Sequence, residues 1–139
     1  MYNTTILSHY IKLVSLGDVE AILYLAYLTF YGKDNVEQDY SISFKFLKIA
    51  AGVGNDVALN AISYMYLKGL GVPQNFEKGM YYLICSSKKG NSDAQISLSN
   101  YYKFIGNDYL SEVYLKESIK NGNPKAKIKF LELKLGKFL

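Results

Sequence analysis

The chain has 139 residues, is 50% hydrophobic and 20% charged, and carries a formal net charge of +4. That balance excludes a disordered polymer, and no apolar run reaches the ~18 residues of a membrane span. All 16 basic residues are lysine, which argues against specific base or phosphate reading, because the guanidinium fork is the usual tool there; neither nucleic acid nor membrane is expected as a partner.

The first predicted element is a helix within residues 1–16, from about Thr4. It has no basic leader, and Ser8, His9 and Lys12 interrupt its apolar residues, so it does not read as a signal peptide and a cytoplasmic location is expected. His9 is the single histidine, with no second His or Cys close in sequence. A metal site is therefore unsupported and a surface position is expected.

From Gly17 onward one phrase recurs, Gly-x-x-x-Ala. It stands at Gly17–Ala21, Gly54–Ala58, Gly90–Ala94 and Gly122–Ala126, with intervals of 37, 36 and 32 residues. Such a period marks a repeat architecture of stacked helix pairs. The expected organisation is a single all-α domain over 1–139: repeats at 17–53, 54–89 and 90–121, then a partial, capping repeat at 122–139. About eight helices and no strand follow from this, wound into an α-solenoid.

Unit 54–89 is the clearest. Asn55 is placed to cap a helix. Ala58, Ala61, Ile62, Met65 and Tyr66 then fall at i, i+3, i+4, i+7 and i+8, one helical face. Gly69-Leu-Gly71-Val-Pro73 breaks that helix, and a second follows from Phe76 to about Lys89. In the first unit the helices are predicted over Asp18–Tyr31 and Tyr40–Ala51, with a loop one residue longer. In the third they are Ser92–Phe104 and Tyr109–Lys120, with a loop about four residues shorter. The last unit holds one helix, from a cap at Asn123 to about Lys137.

The same level of each first helix needs a small residue where its neighbour approaches. Ala21, Ala58, Ala94 and Ala126 supply it, and Ala26, Ser63 and Ser99 repeat the pattern five positions on. Between them stand large residues, Leu25, Ile62, Leu98 and Phe130, as ridges-into-grooves packing requires. Cys85, the lone cysteine, reads as a buried small hydrophobe. Most tyrosines fall at packing positions, Tyr66 and Tyr102 among them.

Charge is uneven. Residues 1–56 hold 4 Lys and 6 acids, net −2; residues 57–139 hold 12 Lys and 6 acids, net +6. The stretch from Lys120 through Lys137 is the most basic and reads as a solvated cap or a landing place for an acidic partner.

These residues resemble the Sel-1-like repeat, a relative of the tetratricopeptide repeat. The second unit carries Gly54, Ala58, Ile62, Tyr66, Gly69, Gly71, Val72, Gln74, Asn75, Phe76 and Lys78. The first carries Gly17, Ala21, Leu25, Gly32, Val36, Gln38, Asp39, Tyr40, Ala50 and Ala51. The third lacks Gly-Val-x-Gln in its short loop. The resemblance implies a right-handed solenoid whose first helices line a concave face, and a scaffold or adaptor role, in bacteria often in virulence, envelope signalling or toxin–immunity pairs.

No catalytic set is apparent. Asp18 with Glu20 and Glu37 with Asp39 are close in sequence, but i, i+2 residues on a helix point apart, and the second pair sits in a turn. Gly69-Leu-Gly71 lacks the flanks of a phosphate loop. No cofactor, metal or catalytic residue is expected. By analogy with tetratricopeptide grooves, the first helices present Tyr27 and Tyr31, then Asn60, Tyr64 and Lys68, then Ile96, Asn100 and Lys103. Leu23, Phe30, Leu67, Phe104, Ile128 and Glu132 share that face.

The expected function is a non-enzymatic module that binds another protein in this groove. An immunity protein that neutralises a secreted toxin or effector is a sharper version. A second copy of the chain is a further candidate partner. A β-lactam or peptidoglycan-related hydrolase is the alternative of a different class. It is disfavoured because the relatives linked to that chemistry carry paired cysteines in each repeat.

Overall fold

The computed structural model describes residues 4–136, with side chains from Ser8 onward. Among them eight α-helices follow in order: α1 (Thr4–Ser15), α2 (Val19–Tyr31), α3 (Tyr40–Gly52), α4 (Asp56–Lys68), α5 (Phe76–Lys88), α6 (Ser92–Phe104), α7 (Asp108–Lys120) and α8 (Pro124–Leu135). No strand occurs among the described residues. The helices stand where the repeat places them, with small shifts at their ends. Gly136 caps α8, and the expected end at Lys137 lies outside the described residues.

The recurring phrase turns out to encode three structural acts. Gly17, Gly54, Gly90 and Gly122 adopt φ of 78°, 82°, 91° and 82°, the left-handed region where a Cβ is penalised. The next residue caps the following helix. Asp18, Asn55 and Asn91 each accept the amide of the phrase's alanine at 2.9 Å, and Asn123 accepts from Lys125 N at 3.0 Å. The alanines are 2%, 0%, 0% and 0% exposed. Only a small side chain fits where the neighbouring helix is this close.

The loops are built from the same logic. Gly32 and Gly69 end α2 and α4 in left-handed conformations, donating to Leu28 O and Met65 O. Gln38 and Gln74 then donate Nε2 to Phe30 O and Leu67 O, at 2.9 and 2.8 Å. These are last-turn carbonyls with no partner inside the helix. The extra residue of the first loop is absorbed at Asp34 and Asn35, both with positive φ. In the second loop Gly71 lies against the start of α3, where an added Cβ would stand 2.5 Å from the Tyr40 carbonyl.

Helices pack on their neighbours in sequence: α2 on α3, α4 on α5, α6 on α7, with α1–α2, α3–α4, α5–α6 and α7–α8 joining the pairs. Leu25, Ile62 and Leu98 are fully buried, as are Ala26, Ser63 and Ser99 beside them. Phe130 of α8 is only partly buried, packed against Ile96, Leu115 and Ala126. Buried serines bolt helices together. Ser43 Oγ donates to Ala26 O at 2.8 Å, Ser86 Oγ to Asp56 O at 2.7 Å and Ser118 Oγ to Ser92 O at 2.8 Å. Each joins the second helix of a pair to the first.

Asparagines at the helix starts add a second tie. While Asn91 Oδ1 caps α6, its Nδ2 donates back to Asp56 Oδ2 of α4 at 2.8 Å. Asn123 caps α8 and donates Nδ2 to Asp93 Oδ1 of α6, also at 2.8 Å. An amide can accept and donate at once; a carboxylate could not.

Candidate partner-binding groove

A groove of about 590 Å³ opens over α2 and α4. Its walls are Leu23, Tyr27, Phe30 and Tyr31 of α2 and Val57, Asn60, Tyr64 and Leu67 of α4, with Ser43 and Leu47, Leu83 and Ser97 reaching in from α3, α5 and α6. Its lining contains no charged residue. The tyrosines stand together because they recur on one helical face. Tyr27 and Tyr31 are one turn apart, with ring centroids 5.0 Å apart, and Phe30 bridges to Tyr31 at 4.8 Å and to Tyr64 at 6.5 Å. Tyr27, Tyr31 and Tyr64 remain 48%, 56% and 50% exposed, although large aromatic surface is worth burying.

A smaller pocket of about 260 Å³ follows toward the C-terminus. Asn100 and Lys103 of α6 line it with Lys129 and Glu132 of α8. Lys103 is paired with Asp108 at 2.8 Å, and Lys129 Nζ approaches Asn100 Oδ1 at 3.5 Å. The expected contact residues therefore divide. Tyr27, Tyr31, Asn60 and Tyr64 meet in one groove, and Asn100 and Lys103 in the next pocket. Lys68 is exposed but lines neither.

Ile96 is a correction. It is 8% exposed and packs in the core with Leu115 and Ala126, so it belongs to the scaffold. Its aliphatic side chain gains more from that burial than the amide of Asn60 would at the equivalent place. Cys85 also differs from expectation, being only partly buried; its hydrogen bond to Tyr81 raises the pKa of that phenol. His9 is exposed, as a surface histidine would be.

Sequence reasoning missed Val57 and Ser97 as wall residues. The signal for Val57 was present: an aliphatic residue inside the Gly-x-x-x-Ala phrase, where the other units carry Glu20, Asp93 and Lys125. Two of the tyrosines outside the groove are engaged in aromatic pairs elsewhere. Tyr66 meets Phe44 edge-on and stacks on Tyr82, and Tyr102 stacks on Tyr114. No group of three or more metal-binding side chains occurs among the described residues, and no helix among them is long and apolar enough to cross a membrane.

At the far end, Glu112 of α7 receives Lys134 of α8 at 2.7 Å and Lys116 at 2.9 Å. The Lys134 hydrogen bond, then that of Lys116, hold its carboxyl down at about 2.

The profile of the Sel1 repeat matches residues 19–55 and 56–91. The chain belongs to the Sel1 repeat family. Two solved Sel1-type structures resemble it closely. One is a Sel1 repeat protein from Oxalobacter formigenes, 26% identical with a TM-score of 0.76, over 86% of this chain and 50% of that one. The other is a protective antigen of uropathogenic Escherichia coli strains displaying an SLR fold. It is 26% identical with a TM-score of 0.77, over 89% of this chain and 27% of that one. The chain thus spans half or less of the length of these structures. No curated protein matches it. Sel1 repeats commonly mediate contacts between proteins and form non-catalytic scaffolds.

Proposed function

We propose that this Sel1 chain is a non-enzymatic module that holds a partner protein in the groove over α2 and α4. The observation that carries the reading is the cluster of Tyr27, Tyr31 and Tyr64, each about half exposed around an uncharged hollow. Rigid aromatic side chains lose little entropy on contact and dominate binding hot spots. A rigid helical scaffold beneath them keeps the arrangement ready-made.

Partners captured from the native cell and identified by mass spectrometry supply the ligand. Titration calorimetry then compares the wild-type chain with Tyr27→Ala/Tyr64→Ala. Loss of about 2 kcal/mol or more is expected if both rings are hot spots. Unchanged affinity in a folded double variant removes this face from consideration.

Neutralisation of a secreted toxin is one specific form of this activity, suggested by the family resemblance. Co-expression with each neighbouring gene product tests it. Relief of toxicity supports that role, and no effect on any neighbour rejects it.

A further inference from the structure

We infer that the groove takes a neutral aromatic or large aliphatic side chain of the partner protein, with a polar atom beside it pairing to Ser63, and with flanking carboxylates facing Lys68 of α4 and Lys129 of α8. This rests on the reading above and adds the chemistry of the occupant.

The first observation is Ser63 itself. It lines the groove and is 1% exposed. Its Oγ is the buried side-chain polar atom that finds no hydrogen-bond partner among the described residues. Buried hydroxyls are nearly always paired. Thr29 shows the local remedy available on a helix, donating back to Leu25 O at 2.8 Å; Ser63 does not use it.

The repeat explains the orphan. In the first unit this level is closed by Ser43, which donates to Ala26 O. In the third, Ser99 pairs with Ser111 at 2.9 Å. Ser43 and Ser111 stand four residues after the caps Asp39 and Asn107. The residue four after the cap Asn75 is Gly79. It carries no hydroxyl, and an added Cβ would lie 2.5 Å from Leu67 Cδ2, which packs into that space. Leu67, a wall of the groove, thus fills the place of the missing hydroxyl partner, and Ser63 is left to a visitor.

The second observation is charge. With no charged lining residue, a buried carboxylate or ammonium of the partner would lose its hydration without a counter-ion. The anchor must therefore be neutral. From α4 toward the C-terminus the sequence is positive: residues 57–139 carry 12 Lys against 6 acids. Lys103 is already paired and Glu132 lines the same pocket. Lys68 and Lys129 lie within ion-pair distance of no carboxylate among the described residues. Lys68 at the end of α4 and Lys129 beside the neighbouring pocket are cations that acidic residues flanking the anchor can meet.

A random 12-residue peptide display library selected on the full chain tests this. Enriched peptides are expected to combine an aromatic or large aliphatic residue with at least two acidic ones. A labelled enriched peptide should lose binding to Tyr27→Ala/Tyr64→Ala and weaken with added salt. Ser63→Ala should weaken it about 3–10-fold, the worth of one hydrogen bond, while its Tm holds or rises because an unpaired hydroxyl is removed. A falling Tm in Ser63→Ala would show a structural role and overturn the assignment. Enriched peptides that need the tyrosines but ignore Ser63, or that lack acids, overturn this inference and leave the groove standing. Peptides that bind the folded double variant as tightly as wild type overturn both. Failure to enrich any peptide overturns the proposed anchor chemistry, while the captured native partner still tests the groove.

Discussion

Replacing Leu98 by alanine tests the repeat register at its most buried point. Leu98 has no exposed surface and packs with Leu83 and Ala94 under Met80, Ile84, Tyr102 and Tyr114. The change deletes roughly three carbons, about 2.4 kcal/mol of transfer free energy at about 0.8 kcal/mol each. Helices α6 and α7 are already closed on each other by the Ser99–Ser111 pair, so the site collapses only partly. A residual cavity of about 40 Å³ adds about 1 kcal/mol at 24 cal/mol per Å³. The sum, about 3.4 kcal/mol, lies inside the range of about 2–5 kcal/mol for such truncations. For a chain of this size it lowers Tm by roughly 10–15 °C.

Urea unfolding followed by circular dichroism measures the loss, with Leu131→Ala as control. Leu131 is 58% exposed on α8, so its truncation should move stability by less than about 1 kcal/mol. A repeat stack need not unfold in a single step. Hydrogen exchange should therefore show α6 and α7 losing more protection than α2 and α3. A Leu98→Ala variant as stable as wild type, or no more affected than Leu131→Ala, would refute the register.

Four further outcomes follow from the geometry. Gly71→Ala combines a φ of 70° with a Cβ 2.5 Å from the Tyr40 backbone; it should cost clearly more than the roughly 1–2 kcal/mol of the left-handed conformation alone. Gly106→Ala, with φ 81° and open space around the Cβ, should show only that smaller loss in the same denaturation assay. Asn91→Asp keeps the cap on Ala94 N but places a carboxylate against Asp56 Oδ2, where Nδ2 now donates at 2.8 Å. A loss of about 1 kcal/mol or more at neutral pH is expected, with relief in acid as one of the two carboxyls takes a proton. For Glu112 the folded carboxyl is lowered from 4.5 to about 2, so its stabilising effect is complete above about 4.5 and is lost as pH falls toward 2. Protection of α8 should decline over that window in wild type and decline less in Glu112→Gln.

The fold was legible in the chain because two periods coincide. Glycine, cap and alanine recur every 32–37 residues, and within each unit apolar residues recur at helical spacing. Each is a local signal that tertiary structure only reinforces. The groove was partly legible for the same reason: Tyr27, Tyr31 and Tyr64 sit off the core face by counting residues from Ala21 and Ala58. Ile96 misled the count because it faces α8, and whether a helix side is covered depends on what arrives some 30 residues later. Ser63 was legible only as a small residue at a packing level. Its lack of a partner depends on Gly79, whose smallness depends in turn on Leu67. A three-body relation of this kind leaves no trace in spacing.

Each asparagine that both starts its own helix and reaches back to an earlier one sets a joint angle using only adjacent units. Nothing at one joint depends on how many others exist. A further unit bearing Asn in that place can be appended without disturbing those already there, and the bend simply continues.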